Sequence, residues 1–539
     1  MTNSSTSNSA IDSQAQPLVR ATCHKARMSK DARFDGQFFT AVITTGIFCR
    51  PICPAKPPNE ENVRYLKTAV EALEQGFAPC KRCFPELAPE QRLQNHQHSL
   101  FEALANAQGQ IQLAAAHHNL SERQYRRQFI SAFGVSPNQY WQKHRVLTAL
   151  KLLRSSNLSI TQICYISGFH SVRRFNEVIK QTYHQPPKQL KINQTPALNT
   201  IAIELSYRPP FDWPLMLSFF KLRALPSVEQ ITEQYYARVF DLNEARGWFK
   251  VSQIVGQDKL LLEISADQQT LLKPLTVPDI IRRVRVMFDL DADMRHIHST
   301  LGQTPLLAKV IKQVPGLRLP GSWDIFEFSV RAILGQQVSV NAATTLAERI
   351  AQRYGQTAPE NPFGLTHLFP TISELLINAK LTEVQEPSEE KEPLAVKEPS
   401  AQKQSSVLKQ PSSVKSVSST DKSYSVVDFS NIGLTQTRVT TLQTWCRFYQ
   451  DNQQLLSQTT PLSELNEKLS ALKGIGPWTI NYIAMRGLSY PDAFPSADLG
   501  VIKALTIKGK KPTNKAILSQ AQAWQPWRAY ATLYLWQSL

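Results

Sequence analysis

Long apolar runs are missing from this 539-residue chain: no stretch of 18 or more residues is apolar throughout, which excludes a helical membrane span. The opening segment "MTNSSTSNSAIDSQAQP" has neither a basic start nor an apolar centre. It reads as a polar, disordered lead over residues 1–19 and not as a secretion signal. Cysteine is scarce, seven in all, and Cys23, Cys164 and Cys446 stand alone, which argues against a disulfide scaffold. The expectation is a cytoplasmic protein with no membrane partner. Acidic residues fall short of basic ones, 43 against 60, for a formal charge of +17. The shortage is local, because residues 101–192 hold 12 Lys+Arg and only Glu102, Glu122 and Glu177. Such a concentration is the electrostatic footprint of a nucleic-acid-binding domain.

The other four cysteines are clustered. Cys49 and Cys53 in "TTGIFCRPIC", with Cys80 and Cys83 in "APCKRC", make two close pairs. Soft thiolates in a set of four select one Zn2+, and the spacing by itself reads as a closed structural site. The surrounding sequence, "FFTAVITTGIFCRPICPAK…ENVRYL…ALEQGFAPCKRCFPE", resembles the N-terminal domain of Ada-type adaptive response proteins. The resemblance implies that Cys49 is also a catalytic residue, accepting a methyl group from a methylated DNA phosphate beside Thr45, Arg50 and Lys56. A zinc-bound sulfur is deprotonated, hence nucleophilic, without a base. Four thiolates around one zinc carry about −2, and alkylating one leaves about −1. Weaker repulsion from the DNA backbone then favours DNA binding without a change of shape.

The basic segment contains an internal repeat. Aligning Ser121 with Ser171 matches Arg123 to Arg173, Tyr125 to Phe175, Phe129 to Ile179, Phe133 to Tyr183 and Pro137 to Pro187. Two short-helix units joined by "YWQKHRVLTALKLLRSS", with capping sequences at Ser121–Gln124 and Ser159–Gln162, predict paired helix-turn-helix units. The segment, with "GFHSVRRFNEVIKQTYHQPPKQLK", resembles the DNA-binding domain of AraC-type activators. A helix-turn-helix sets the exposed face of its second helix against base edges. The candidates are Arg123, Gln124 and Arg127 in the first unit, and Val172, Arg173, Arg174 and Asn176 in the second. Each arginine reads equally well as a phosphate contact. The aromatic and aliphatic positions opposite them read as core.

From about residue 199 the pattern changes to short β-branched and aromatic runs, such as "TIAIELSY" and "YYARVFDL", which predict an antiparallel sheet. Helical spacing returns from about 291, broken by residues 382–425, whose Glu, Lys, Pro, Ser and Gln cannot build a core and read as disordered. "LKGIGPWTINYIAMRG" places Gly474 and Gly476 in a turn between helices, a geometry whose backbone N–H groups meet a DNA phosphate. With "LRLPGSWDIFEFSVRAILGQQVSV" and "SYPDAFPSADLGVIKAL", residues 200–539 resemble 3-methyladenine DNA glycosylase II, a helix-hairpin-helix enzyme. The resemblance implies that Asp498 is the catalytic carboxylate, a residue type that also caps helices. It assigns Trp478, Tyr482 and Trp536 to the base pocket, where core packing is the alternative. Gln337 falls on the wedge that fills the gap left by an extruded nucleotide, where the better-known family member has leucine.

Cationic alkylpurines leave readily, so such an enzyme unstacks the nucleotide, faces it with aromatic rings and stabilises the sugar cation with one carboxylate. Members that also cut the backbone carry a lysine after the hairpin glycines and often a four-cysteine cluster. This chain has Trp478 there and only Cys446 in that half, which implies base removal without strand cleavage. No Pro-Cys-His-Arg element follows, so no O6-methylguanine transferase activity is expected.

The expected architecture is multidomain α+β. It comprises a small zinc domain over 20–96, an all-α double helix-turn-helix domain over 97–192, an antiparallel β-sheet and helix domain over 199–290, and an all-α helix-hairpin-helix domain over 291–539. The expected function is an alkylation-responsive transcriptional activator fused to a monofunctional glycosylase for 3-methyladenine and 7-methylguanine. Its partners would be damaged and promoter duplex DNA and RNA polymerase, in a bacterial, nucleoid-associated setting. The rivals are a pure regulator with an inactive glycosylase region and a repair protein whose front half only targets DNA.

Overall fold

The computed structural model describes residues 19–90, 95–191, 200–271, 273, 276–378, 424–429, 432–457, 460–507 and 509–539. The polar lead, except Val19, and most of the 382–425 insertion lie outside the described residues. Among the described residues no helix is long and apolar enough to cross a membrane.

The cysteine-bearing module is a four-stranded sheet in the order Val63–Leu66, Phe39–Val42, Ile47–Cys49, Ala78–Pro79. Its last pair is parallel, with Ile47 opposite Ala78 and Phe48 opposite Pro79. That register sets Cys49 beside Cys80 although 30 residues separate them in the chain, and Phe48, with no exposed surface, anchors it.

The basic segment folds into helices Ile111–His117 and Glu122–Phe133, then Pro137–Ser155, then Ile160–Ile166 and Val172–Tyr183. The capping boxes at Ser121–Gln124 and Ser159–Gln162 are both formed, and a third, Ser136–Gln139, opens the connecting helix. Tyr125, Phe129, Phe175 and Ile179 are fully buried, as the repeat predicts. Val172 differs from expectation: it packs against the core, so it does not face solvent with its arginine neighbours.

The second helix-turn-helix unit is not an independent body. Its core runs on into a five-stranded antiparallel sheet, ordered Ile201–Ser206, Lys259–Ala266, Ala245–Gln253, Tyr235–Leu242, Glu229–Ile231. Ser156 bridges Ile203, and Asn157 donates to Thr200 O at 2.7 Å while accepting from Ala202 N at 3.0 Å. Arg208, 1% exposed, fastens the zinc module to the same block. Its guanidinium donates to Asp35 O at 2.8 Å, Asp291 O at 2.7 Å and Pro89 O at 3.3 Å, and also to Glu90 O.

The C-terminal helices, among them Ile325–Leu334, Val340–Tyr354, Gln436–Asp451, Leu462–Ser470, Pro477–Tyr482, Leu499–Ala504 and Arg528–Gln537, surround one core in which Trp445 and Trp524 are fully buried. This region departs from the all-α expectation, because Leu376–Asn378 pairs antiparallel with Tyr424–Val426. Tyr424 and Ser425, assigned by composition to the insertion, therefore belong to a strand. Asn378 opposite Tyr424 brings the two ends of the insertion together. Deleting residues 385–422 is accordingly expected to leave base release and melting temperature nearly unchanged. A loss of several degrees, roughly 1 kcal/mol or more at this size, would show that the segment packs on the domain.

Candidate functional site

In the zinc module the Cys49, Cys53, Cys80 and Cys83 sulfurs lie within 4.8 Å of one another. Tetrahedral bonds of about 2.3 Å place sulfurs roughly 3.8 Å apart, so a modest contraction around one cation satisfies all four. The donor set fits the ion in charge as well. Hydrogen bonding with Cys53 pushes the Cys49 thiol well up, and hydrogen bonding with Cys49 does the same to Cys83, so four thiolates at this spacing need a divalent cation. The sulfurs are not equivalent. Arg50 N donates to Cys83 at 3.3 Å and Arg82 N to Cys80 at 3.5 Å, and the Ala55 amide acts on Cys53. Among the described residues no backbone N–H donates to Cys49, which leaves it the most electron-rich of the set. Cys80 and Cys83 are buried, while Cys49 and Cys53 are partly exposed.

A cavity of about 760 Å³ opens over the cysteines, and Thr45 and Lys56 line it. Arg50 corrects the expectation of a guanidinium available to phosphate. Its Nε donates to Asp35 Oδ1 at 2.8 Å, its Nη2 to Asp35 Oδ2, and its Nη1 to Cys83 O at 3.1 Å. Arg50 therefore braces the cysteine loop. The exposed cations around the cavity are Lys56, Lys81 and Arg82, and the latter two, between Cys80 and Cys83, escaped the sequence reading.

On the helix-turn-helix units Arg123, Arg127, Arg173, Arg174 and Asn176 are exposed on the second helix of each pair. Arg173 and Arg174 share Glu177 at 3.3 and 3.4 Å, exposed pairs that are worth little and give way to a phosphate. Gln124 is committed locally, its Oε1 accepting from Ser121 N and Oγ.

The glycosylase-like half gathers Trp478, Tyr482, Asp498 and Trp536 on one cavity of about 430 Å³. Asp498 is the N-cap of Leu499–Ala504. Its Oδ1 accepts from Gly500 N at 2.9 Å, Val501 N at 3.2 Å and Trp536 Nε1 at 2.8 Å, and its Oδ2 accepts from Trp478 Nε1 at 2.9 Å. Four N–H donors converge on one carboxylate, which is acceptor-only when ionised. Trp478 and Tyr482 stack at 5.0 Å and 13°. All three aromatics are partly exposed, as cavity walls are and core residues are not. The sequence supplied no signal that both indoles would donate to the acid.

Gly500 was also missed. A Cβ there would lie 2.6 Å from Trp536 Cδ1 and 3.1 Å from Asp498 Oδ1. Gly500→Ala is expected to stabilise or leave unchanged the helix itself, yet displace Trp536 and slow base release by about tenfold to a hundredfold. Release at the wild-type rate would show that the indole contact is dispensable.

Gln337 stands exposed at the turn between Ile325–Leu334 and Val340–Tyr354, in the left-handed region with φ 54°. A strained backbone at such a tip is a common feature of functional loops. Its neighbour Gln336 ties this turn to the hairpin, donating to Gly474 O and Thr479 Oγ1 at 2.9 Å each. Gly474 has φ 90°, and a Cβ would lie 2.2 Å from Thr441 Oγ1, so only glycine fits. A Cβ on Gly476 would meet nothing within 4 Å, and that face of the hairpin is open to a ligand.

This assembly is a helix-hairpin-helix glycosylase fold carried on the same chain as a four-cysteine zinc module and paired helix-turn-helix units. Comparison with known sequences agrees along the chain: residues 22–86 match the metal binding domain of Ada, 114–192 a helix-turn-helix domain and 202–324 the AlkA N-terminal domain. A Mycobacterium tuberculosis protein named "Probable bifunctional transcriptional activator/DNA repair enzyme AlkA" is 32% identical over 531 residues, 96% of either chain. The chain belongs to that family of bifunctional activator and repair proteins. DNA-3-methyladenine glycosylase 2 of Escherichia coli is 31% identical over 336 residues, covering 62% of this chain and 95% of its own. The Escherichia coli bifunctional transcriptional activator/DNA repair enzyme Ada is 33% identical over 179 residues, covering 31% of this chain and 51% of its own. Cys49, Cys53, Cys80 and Cys83 form one Zn2+ site.

Proposed function

We propose that the protein is an alkylation-responsive transcriptional activator that also excises alkylated bases from duplex DNA. The observation that carries the enzymatic half is Asp498, held by four N–H donors at the wall of an aromatic cavity. An extruded nucleotide lies along Trp478 and Tyr482, and the Asp498 carboxylate faces its anomeric carbon. As the bond to the cationic base breaks, the base takes the bonding electrons and the carboxylate stabilises the sugar cation until water adds. The open Gly476 hairpin holds the backbone, and Gln337 fills the space the nucleotide leaves.

In the front half, bound zinc would supply the charge that keeps all four sulfurs deprotonated. Cys49 Sγ, without an N–H donor to draw off its charge, attacks the methyl carbon of a phosphotriester. A carbon–sulfur bond forms, the carbon–oxygen bond breaks, and the phosphate leaves as a diester. The centre loses one negative charge, and Lys56, Lys81, Arg82 and the basic helices grip DNA more firmly. Tighter promoter binding, with RNA polymerase recruited beside it, completes the activation.

Incubation of the pure protein with methylated duplex tests both halves at once. Free 3-methyladenine or 7-methylguanine in solution and one methyl group on the protein are the expected products. A chain that takes up methyl and releases no base would be the pure regulator.

A further inference from the structure

The cavity extends past the aromatic wall to a group the chemistry above leaves unused. From Asp498 the wall runs through Trp478 to Tyr482, and beyond the Tyr482 hydroxyl stand Arg486 and Arg223. Arg486 is 4% exposed and sits in the π-helical turn Ile483–Gly487, an irregularity found mostly at functional sites. Its Nη1 donates to Tyr482 Oη at 3.0 Å, Nε to Pro320 O at 2.9 Å and Nη2 to Gly321 O at 3.4 Å. These use three of the five N–H groups of a guanidinium. Arg223 lies flat on Phe219, 3.8 Å from the ring centroid, and Arg486 approaches the same ring at 4.6 Å.

Two other guanidiniums lining the cavity, Arg238 and Arg331, are neutralised by Glu229 and Glu327, with Arg238 3.0 Å from Glu229 and Arg331 2.9 Å from Glu327. Arg486 and Arg223 have no carboxylate at ion-pair distance among the described residues. A buried, unpaired charge at a cavity wall is costly unless a ligand meets it. Burial would raise the Tyr482 hydroxyl, but Arg486 and Arg223 outweigh burial and bring it below its ordinary value, making it a stronger donor. The far end of the cavity is thus a cluster of hydrogen-bond donors without an acceptor.

We propose that Arg486 and Arg223 read the edge of the extruded purine opposite its glycosidic nitrogen, and favour a carbonyl at position 6 over an amino group. With the sugar at Asp498 and the ring along Trp478 and Tyr482, the six-membered ring points at the two guanidiniums. A 6-oxo group accepts from them, as guanine O6 accepts from arginine elsewhere. A 6-amino group presents donors to donors, and a cationic 6-aminopurine adds like-charge repulsion. This rests on the glycosylase reading and narrows its substrates toward hypoxanthine and 7-methylguanine, with 3-methyladenine held less well.

The test is single-turnover release by the full-length protein from three duplexes that differ only in the lesion: hypoxanthine, 7-methylguanine or 3-methyladenine. Arg486→Gln and Arg223→Gln are each expected to slow release of the two 6-oxo bases by about tenfold or more, with 3-methyladenine release changed less than about threefold. Arg223 is half-buried, so its variant keeps the fold where that of Arg486 might lose the Pro320 and Gly321 contacts; melting curves check both. An equal loss on all three lesions, or an unchanged 6-oxo to 6-amino ratio, overturns the assignment. So does a wild-type protein that releases 3-methyladenine and neither 6-oxo base, an outcome that leaves the glycosylase reading intact. A wild-type protein that releases no base at all overturns that reading and the assignment together.

Discussion

Asp498→Asn is expected to slow release of 3-methyladenine by at least about a hundredfold, the scale of losing one electrostatic stabiliser. Asparagine keeps Oδ1, so the cap on Gly500 N and Val501 N and the bond from Trp536 survive. It removes the charge facing the sugar, which is the effect sought. It also turns an amide N–H₂ toward Trp478 Nε1, now 2.9 Å from Oδ2, and sets donor against donor. Trp478→Phe separates the two effects, because phenylalanine keeps a ring in the wall and has no N–H. The single Trp478→Phe change is expected to retain release within about tenfold, and the double variant to stay as slow as Asp498→Asn. Duplex binding should hold or tighten in both Asp498 variants, since a negative charge near the phosphates has gone. Near-normal release from Asp498→Asn, or recovery in the double variant, would remove the carboxylate from the chemistry.

Cys49→Ser is expected to abolish methyl uptake and inducible activation while base release continues. A serine hydroxyl is a far poorer nucleophile than a thiolate at neutral pH. The remaining three sulfurs, with the Arg50–Asp35 brace, keep the cysteine loop in place. Mass spectrometry of the protein after exposure to methylated duplex locates the group, and a promoter reporter reads the switch. Methyl on Cys53, Cys80 or Cys83, or none on the wild type, would end the assignment to Cys49. Cys53 is the sharper control, because it too is partly exposed and differs from Cys49 in the amide that acts on its sulfur. Loss of base release in Cys49→Ser would instead point to communication through Asp35 and Arg208, which join the zinc module to the glycosylase half.

Local signals in the sequence determined a good part of this protein. The four-cysteine set was legible because metal ligands must be thiolates at short spacings. The helix-turn-helix units were legible because a serine cap and its glutamine lie three residues apart, and because a 50-residue offset repeats the buried face. The strands announced themselves by alternation, as in Ile201–Ser206, where Ile201, Ile203 and Leu205 are buried and the residues between them are less so. The reading of the second half leaned on resemblance, and it brought Trp478, Tyr482, Asp498 and Trp536 to one cavity without indicating that the indoles hold the acid.

What only the tertiary structure decided depends on partners far apart in the chain. Whether Arg50 meets a phosphate or a carboxylate was settled by Asp35, 15 residues earlier and on another element. Asp498 meets its indoles across 20 and 38 residues, and Gln336 reaches the hairpin across 138. Arg486 gained a cavity wall and no counter-ion, which no spacing rule conveys. The union of the second helix-turn-helix unit with the sheet was likewise invisible, since a buried apolar face looks the same in sequence whichever element covers it. Hydrogen-bonding caps and periodic faces are set by neighbours along the chain. The choice of partner for a long, charged or aromatic side chain is set by which surfaces packing brings within a few ångströms.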